Sequence, residues 1–331
     1  MNPVGDIDAV LDGWRLPRPR TAASAAEGYQ NTTLFVSCAS GDYVLKIYSN
    51  VAELGHRRFE HELLGWLLAH AELPFMVPRP VLDAEGDTLR FLHGRPAALF
   101  ARIDGEALPK DGGAYVRPAA AALARLDAVM AELDHFDHRP PRFEGDLGRV
   151  HPLVDDIDGA VEDSGLDAPQ ATLLHRALER ASELAAPVYA SLPRQVIHGD
   201  FAFGNTLVKD GVVSGLLDFE HAGIDVRAID LTAALYRFPA HEDALGECER
   251  FGRAYCAVLP LDVTEVAALP ALLLVRSGVF VAHWVGRYRA GLATIDEVRP
   301  RATRALFTAD WVEENGAELV HRAMDWIGER V

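Results

Sequence analysis

The stretch VIHGDFAFGN at residues 196–205 decides the fold of this chain, together with LLDFE at residues 216–220. The two segments place an aspartate at 200, an asparagine at 205 and a second aspartate at 218, separated by short apolar runs that are typical of strands. Phosphoryl transfer from a nucleoside triphosphate needs a carboxylate that orients the attacking hydroxyl and oxygen ligands that hold metal ions on the phosphates. The ordered set therefore predicts a site of that kind.

The composition is ordinary for a soluble globular protein. Hydrophobic residues make up 49% of the 331 residues and charged residues 24%, and the length suits one large domain or two modest ones. The formal net charge of −17 argues against a nucleic-acid-binding surface, which needs a basic patch. An acidic surface is usually a matter of solvation, although it also fits a cationic substrate.

Cysteine content and hydropathy bear on the cellular location. The three cysteines are odd in number and lack C-x-x-C spacing, which favours free thiols in a reducing compartment over disulfides or a zinc site. No basic segment leads into an apolar run near the start. Residues 266–285 are apolar, but Pro270, Arg276 and His283 interrupt them and favour a buried helix over a membrane span. We therefore expect a cytoplasmic protein that binds neither nucleic acid nor membranes.

The first hundred residues are predicted to be mostly β with one helix. Residues 32–38 and 43–48 are typical of a hairpin, and residues 51–71 carry the apolar spacing of an amphipathic helix. Short strands are predicted at 81–83, 88–92 and 97–103.

Beyond residue 105 the pattern becomes helical. Helices are predicted over 117–133 and 168–190 and beyond about residue 228, with the β-rich motif segment at about 195–219 between them.

These patterns predict an α+β fold with two lobes. We expect a nucleotide-binding lobe at 1–99, a hinge at 100–105, and a larger catalytic and substrate-binding lobe at 106–331. A cleft in such a layout would suit a nucleotide.

Lys46 lies on the second strand of the predicted hairpin, and strand alternation puts it on the face opposite Leu45 and Ile47. A lysine placed after a loop and ahead of a glutamate-bearing helix is typical of a ligand for the α- and β-phosphates. Glu60 and Glu62 both lie where a helix carboxylate could hold its ammonium group. Being two residues apart, they point in different directions on the helix.

Further segments extend the pattern: GYQNT at 28–32, YVLK at 43–46, PRP at 78–80 and GRPAAL at 94–99. With these segments and the two acidic motifs, the chain resembles the aminoglycoside phosphotransferase/choline kinase superfamily of small-molecule kinases, nearest its homoserine-kinase-like branch. The likeness runs from about residue 28 to 236. It implies a bilobal protein-kinase-like fold with a β-rich N-lobe and a larger, mostly helical C-lobe.

The resemblance implies roles for the acidic motifs. Asp200 matches the catalytic aspartate, which would orient the acceptor hydroxyl or accept its proton. Asn205 and Asp218 match the metal ligands, in keeping with the preference of Mg²⁺ for oxygen donors. The implied phosphate donor is ATP or GTP.

The resemblance also implies a nucleotide-binding set in the N-lobe. Gly28 and Asn31 match a loop that covers the phosphates. The backbone groups of Phe100 and Arg102 would bond to the edge of the adenine. The family pattern favours the first of the two helix glutamates, Glu60, as the partner of the strand lysine.

Residues around the motifs have simpler interpretations. His198 is expected to orient the catalytic loop through backbone hydrogen bonds. Glu220 either lies near the metal ligands or is a surface carboxylate. Asp225 and Asp230 are interpreted as structural, through helix capping or pairing with Arg227.

The acceptor is the open question. Family members often carry a histidine or a basic residue between the aspartate and the asparagine, where this chain has FAFG at 201–204. The two phenylalanines either line an acceptor pocket or belong to the core. The predicted acceptor is a hydroxyl of a small molecule, either an amino-alcohol metabolite such as homoserine or an antibiotic.

The competing interpretation is a pseudokinase, a nucleotide-binding module without catalysis. A module of that kind has no need for an intact set of Asp200, Asn205, Asp218 and Lys46. The sequence therefore favours the enzyme.

Overall fold

The computed structural model describes residues 3–24, 31–49, 54–70 and 72–328, with the backbone alone for residues 3–6. The chain divides into two compact units. Unit 1 comprises Met1–Glu106, His135–Pro140 and Leu207–Glu220, and unit 2 comprises Ala107–Asp134, Pro141–Thr206 and His221–Val331.

The described helices, in chain order, are α1 (Pro3–Asp12), α2 (Leu54–His70), α3 (Val116–Met130), α4 (Ile157–Glu162), α5 (Ala168–Ser191), α6 (Ala228–Leu235), α7 (Ala244–Cys256), α8 (Val263–Arg289) and α9 (Ile295–Met324). The described strands are β1 (Arg20–Ser24), β2 (Thr32–Cys38), β3 (Gly41–Ile47), β4 (Arg79–Pro80), β5 (Arg90–Leu92), β6 (Arg95–Ala101), β7 (Glu106–Ala107), β8 (Arg194–Ile197), β9 (Thr206–Lys209), β10 (Val212–Leu216) and β11 (Gly223–Val226).

Unit 1 is built on an antiparallel sheet with the strand order β1-β2-β3-β6-β4, and β5 also pairs with β6. Leu45 and Ile47 of β3 are buried in the core that α1 covers, whereas Lys46 between them lies on the other face. The alternation predicted for this strand is confirmed. Strands β10, β9 and β7 form a second, small sheet in that order.

Unit 2 is mostly helical, and β8 pairs antiparallel with β11. One of its core clusters joins residues of α4, α5, α8 and α9. Asp262 caps α8 through a capping box with Glu265. By length and composition α8 is the one described helix that could cross a membrane, but 67% of its apolar window is buried inside the protein. A core helix passes the same test, so α8 is weak evidence for a membrane span.

In the first hundred residues, three short elements were missed and one predicted strand is wrong. Helix α1 and strands β1 and β4 were not predicted; α1 is short, and it is stabilised by burying Val10 and Leu11 against the sheet of unit 1. The strand predicted at 81–83 is wrong, because Asp83 instead accepts backbone hydrogen bonds from Glu85 and Asp87 in a turn.

The unit boundaries also differ from the predicted lobes. Unit 1 includes residues 207–220, which carry Asp218, whereas the sequence predicted a lobe that ends at residue 99. The assignment of 1–99, 100–105 and 106–331 as nucleotide-binding lobe, hinge and catalytic lobe stays a prediction.

Candidate active site

The loop predicted to be catalytic, residues 198–205 of unit 2, begins where β8 ends and is called the catalytic loop below. The backbone amides of His198 and Gly199 donate to the two carboxylate oxygens of Asp230, at 2.6 and 2.8 Å. Gly199 has φ +79°, and a Cβ at this position would collide with the carbonyl oxygen of His221. His198 also accepts a hydrogen bond at Nδ1 from the amide of Asp200, at 3.3 Å. The loop is therefore held by its backbone, and only glycine fits its tightest turn.

Two arginines bind this loop next to the predicted catalytic aspartate. Arg276 of α8 donates to the carbonyl oxygen of Gly199 at 2.7 Å and to Oδ1 of Asp200 at 3.0 Å. Arg237, which follows α6, donates to the carbonyl oxygen of Phe201 at 3.2 Å. The sequence analysis did not identify either arginine. The only signal was that Arg276 is a charge in the middle of an apolar helix.

Asn205 is oriented by the loop itself. Its Nδ2 donates to the carbonyl oxygen of Asp200 at 3.3 Å, and its amide donates to Ala202 at 2.9 Å. Among the residues that the structure describes, no donor bonds to its Oδ1. The side chain is thus fixed with its oxygen available, which suits a ligand for a hard cation.

The two phenylalanines of the loop belong to the core. Phe201 and Phe203 are each 1% exposed, and both pack against Phe251 of α7 at ring-centroid distances of 5.5 and 6.1 Å. Of the two interpretations that the sequence left open, the structure supports the core one.

Behind the loop lies a buried acidic pair. Burial and the neighbouring Asp230 raise the pKa of Asp127 well above its ordinary value, which favours its neutral form. Tyr255 donates to Oδ2 of Asp127 at 2.6 Å.

The predicted partner of Arg227 is wrong. Its guanidinium binds Glu265 of α8, through Nε to Oε1 at 2.6 Å and through Nη2 to Oε2 at 2.5 Å. Asp230 accepts the loop amides, and Asp225 accepts the amide of Val226 at 2.7 Å.

In unit 1, Lys46 is the centre of an ionic network. Its Nζ lies 2.7 Å from Oδ1 of Asp218 and 3.1 Å from Oε2 of Glu220. Burial alone would lower the pKa of Lys46, but the two carboxylates outweigh it and raise the pKa well above its ordinary value. Asp218 has φ +70°, a strained conformation for a residue other than glycine.

The helix glutamates occupy different environments. Glu60 is 3% exposed and its Oε2 lies 3.4 Å from Nη1 of Arg57; it also interacts electrostatically with Lys46. Burial is the largest cause of the raised pKa of Glu60. Glu62 instead accepts from the amide and the ring nitrogen of His138, at 2.8 and 3.0 Å. The environment of Glu60 thus supports the preference for it.

Glu220 is not a surface residue, so that interpretation was wrong. It is 8% exposed and bonds to Lys46, to Arg57 at 3.4 Å and to Nδ2 of Asn31 at 2.6 Å. Asn31 also accepts the amide of Ser49 at 3.0 Å, which fixes its side chain. Gly28, predicted in the same loop, lies outside the described residues.

One of the backbone groups predicted to contact the adenine is already hydrogen-bonded within unit 1. The amide of Arg102 donates to the carbonyl oxygen of Asp42 at 3.0 Å, and its guanidinium lies 5.0 Å from the ring of Phe35. That N–H is therefore already used within unit 1. Phe100 pairs in register with Val44 in the sheet. A role for either residue at the base stays a prediction.

No cluster of three or more His, Cys, Asp or Glu that could hold a metal occurs in the described part of the chain. A nucleotide-dependent Mg²⁺ does not require one, because it takes only one or two protein ligands beside phosphates and water. Within unit 1, the carboxylates of Asp218 and Glu220, both bonded to Lys46, fit that requirement.

Residues 21–269 match the model of the phosphotransferase enzyme family, abbreviated APH, and the chain belongs to this family. It is a small-molecule kinase, which transfers a phosphoryl group to a hydroxyl of a small molecule. The fold class is the α+β kinase-like fold that the sequence predicted.

The relatives agree with this assignment. A homoserine kinase of Phenylobacterium zucineum (strain HLK1) is 28% identical over 272 residues, which cover 81% of this chain and 80% of that protein. A microcompartment-associated aminopropanol kinase has a similar fold, with a TM-score of 0.75 at 18% identity over 96% of this chain and 98% of that one. An amicoumacin kinase in complex with AMP-PNP, Ca²⁺ and Ami gives a TM-score of 0.70 at 16% identity over 94% of each chain.

Proposed function

We propose that this kinase uses ATP and Mg²⁺ to phosphorylate the hydroxyl of an amino-acid alcohol such as homoserine. The similarity to a homoserine kinase along 81% of the chain supports the acceptor. The AMP-PNP complex of a structural neighbour supports ATP as the donor. The cysteines described as free thiols support a location in the cytoplasm.

The observation that carries the proposal is the geometry of the catalytic loop. Asp230 fixes the backbone of His198 and Gly199, and Arg276 fixes the carboxylate of Asp200. A carboxylate held in this way can accept a hydrogen bond from a hydroxyl and orient its oxygen for attack on the γ-phosphorus. In the proposed reaction Asp200 serves the acceptor.

The residues of unit 1 would serve the nucleotide. Lys46 would bind the α- and β-phosphates, and Glu60 in the same buried network would hold its position. Asp218, with Asn205 of unit 2, would supply the protein ligands of Mg²⁺. The bound ion would neutralise charge on the phosphates as the reaction proceeds.

The test is acceptor-stimulated release of ADP, measured with and without Mg²⁺ on L-homoserine and on an aminoglycoside, with mass spectrometry of the product. We expect Mg²⁺-dependent turnover with L-homoserine and one added phosphoryl group. GTP in place of ATP should support a lower rate. Turnover with the aminoglycoside alone would overturn the acceptor, and no stimulation by any alcohol would overturn the proposal as a whole.

A further inference from the structure

Three arginines of unit 2, Arg237, Arg276 and Arg304, form what we call the arginine cluster. Arg276 binds the carboxylate of Asp200 and the carbonyl oxygen before it, and Arg237 binds the carbonyl oxygen after it, at Phe201. The three come from different parts of the sequence, after α6, within α8 and within α9. Two of them therefore lie on either side of the residue that would orient the acceptor.

Aromatic rings fix the cluster. The guanidinium of Arg276 lies 4.6 Å from the ring centre of Phe280, and that of Arg304 lies 4.6 Å from the ring of Tyr236. The two rings stack on each other with centroids 5.5 Å apart and an angle of 19°. Arg304 also donates to the carbonyl oxygen of Tyr236 at 2.6 Å. Cation–π contacts of this kind hold a guanidinium without neutralising it.

The cluster carries more positive than negative charge. Arg276 pairs with Asp200, but within the described part of the chain no carboxylate lies within 4.0 Å of Arg237 or Arg304. Burial and the two other arginines lower the pKa of Arg237, although Asp200 acts in the opposite direction. Asp225, which also acts on Arg276, has its pKa raised by burial to about 7 and is only partly ionised.

A surplus of cations in a partly buried site is costly unless an anion compensates it. Arg237 and Arg304 each donate to one backbone oxygen, and Nε of Arg237 is buried with no hydrogen-bond partner in the described part of the chain. The acidic composition of the chain as a whole offers no explanation for three arginines at this position. An acceptor bound next to Asp200 could supply the negative charge that would balance the arginines.

We propose that the arginine cluster recognises a carboxylate of the acceptor, with Arg237 as the residue that determines specificity. The proposal rests on the proposed function and narrows it to alcohols that carry a carboxylate near the hydroxyl. A planar guanidinium is the side chain best suited to carboxylates. The same cluster disfavours polycationic acceptors such as aminoglycosides, because like charges would have to approach in a partly buried site.

The test compares three small alcohols that differ by one charged group. L-homoserine carries a carboxylate and an ammonium, 4-hydroxybutanoate lacks the ammonium, and 3-aminopropan-1-ol lacks the carboxylate. We expect kcat/KM of the wild-type enzyme to be highest for the two carboxylates. In Arg237→Met it should fall about 10- to 100-fold more for both of them than for 3-aminopropan-1-ol.

Two further variants separate recognition from structure. Arg237→Lys keeps the charge without the planar fork and should retain part of the preference for carboxylates. Arg301→Met is the matched control, since Arg301 is an arginine of the same helix as Arg304 but lies 4.0 Å from the ring of Trp284. Its preference among the three alcohols should equal that of the wild type.

Two results would overturn the proposal. One is an equal loss for all three alcohols in Arg237→Met, which would show a structural role; the other is a wild-type enzyme that prefers 3-aminopropan-1-ol. Either would leave the kinase function intact. If none of the alcohols is phosphorylated, the proposed function fails, and calorimetric titration with 4-hydroxybutanoate decides the carboxylate site. Binding that disappears in Arg237→Met supports the site, and no binding to the wild type refutes it.

Discussion

The ionic networks of the two units differ in the sign of their surplus charge. In unit 1, two cations, Lys46 and Arg57, meet three carboxylates, Asp218, Glu220 and Glu60. In unit 2, three arginines meet Asp200 and an Asp225 that is only partly ionised. One network lacks a cation and the other lacks an anion.

The difference shows why net charge is a poor guide to the substrate. The value of −17 sums the whole surface, most of which is solvated, whereas recognition depends on the few charges that a ligand desolvates. A surplus of carboxylates suits a divalent ion with its nucleotide. A surplus of arginines suits an anionic acceptor, which is the reverse of the cationic substrate that the overall charge suggested.

The largest effect should come from Asp200→Ala. If Asp200 serves only the acceptor, kcat should fall about 10²- to 10⁴-fold, while the dissociation constant of ATP changes no more than a few-fold. Steady-state kinetics and a nucleotide titration measure the two quantities separately. Loss of nucleotide affinity as the main effect would contradict the assignment of Asp200 to the acceptor, and with it the separate roles of the two units.

Asp218→Ala should mainly weaken the binding of the nucleotide. Removing this carboxylate leaves the network of Lys46 with one acidic partner fewer and takes away a predicted ligand of Mg²⁺. We expect the affinity for Mg²⁺–ATP to fall at least about tenfold, as measured by titration at several Mg²⁺ concentrations. An unchanged dependence on Mg²⁺ would contradict the assignment of Asp218 as a ligand.

Asp230→Asn should weaken the catalytic loop by an intermediate amount. An amide has one acceptor oxygen where the carboxylate offers two, so one of the two loop amides loses its partner, at a cost of about 1–3 kcal/mol. Denaturant unfolding measures the loss. Asp127→Asn is the matched variant: because burial and Asp230 favour the neutral form of Asp127, it should cost less, and an equal cost would contradict the raised pKa of Asp127.

The dependence of stability on pH through Asp225 appears only when stability is compared across several pH values. Its pKa is raised by burial from 3.8 to about 7, so the folded state keeps a proton that the unfolded state has lost. The stabilisation is complete below about pH 4 and is lost as pH rises to about 7, by at most about 1.4 kcal/mol per pH unit. Asp225→Asn should therefore gain stability relative to the wild type between pH 5 and pH 8. If the difference in unfolding free energy between Asp225→Asn and the wild type is the same at pH 5 and at pH 8, the raised pKa of Asp225 is contradicted.

Elements with a strict local period were predictable. The hairpin of β2 and β3 and the orientation of Lys46 follow from alternation, which depends only on neighbouring residues. Helix α1 was not predictable because ten residues form a stable helix in water only when packing adds to their intrinsic propensity.

The residues of the candidate site likewise divide into those that a local pattern predicts and those that it does not. Asp200, Asn205 and Asp218 share a short stretch with fixed spacing, so a pattern exposes them. Glu220 looked like a possible surface carboxylate because its burial depends on Arg57 and Asn31, far away in the chain. No local spacing predicts a contact of that kind.

The sequence by itself determined the family, the fold class and the residues of the two acidic motifs, because these depend on residue types at short, fixed separations. The tertiary structure alone decided which charges surround those residues. Arg237 follows α6 and Arg276 lies in α8, dozens of residues apart, and only the packing of helices brings both to one loop. Electrostatic interaction depends on distance in space, which the order of residues along the chain does not specify.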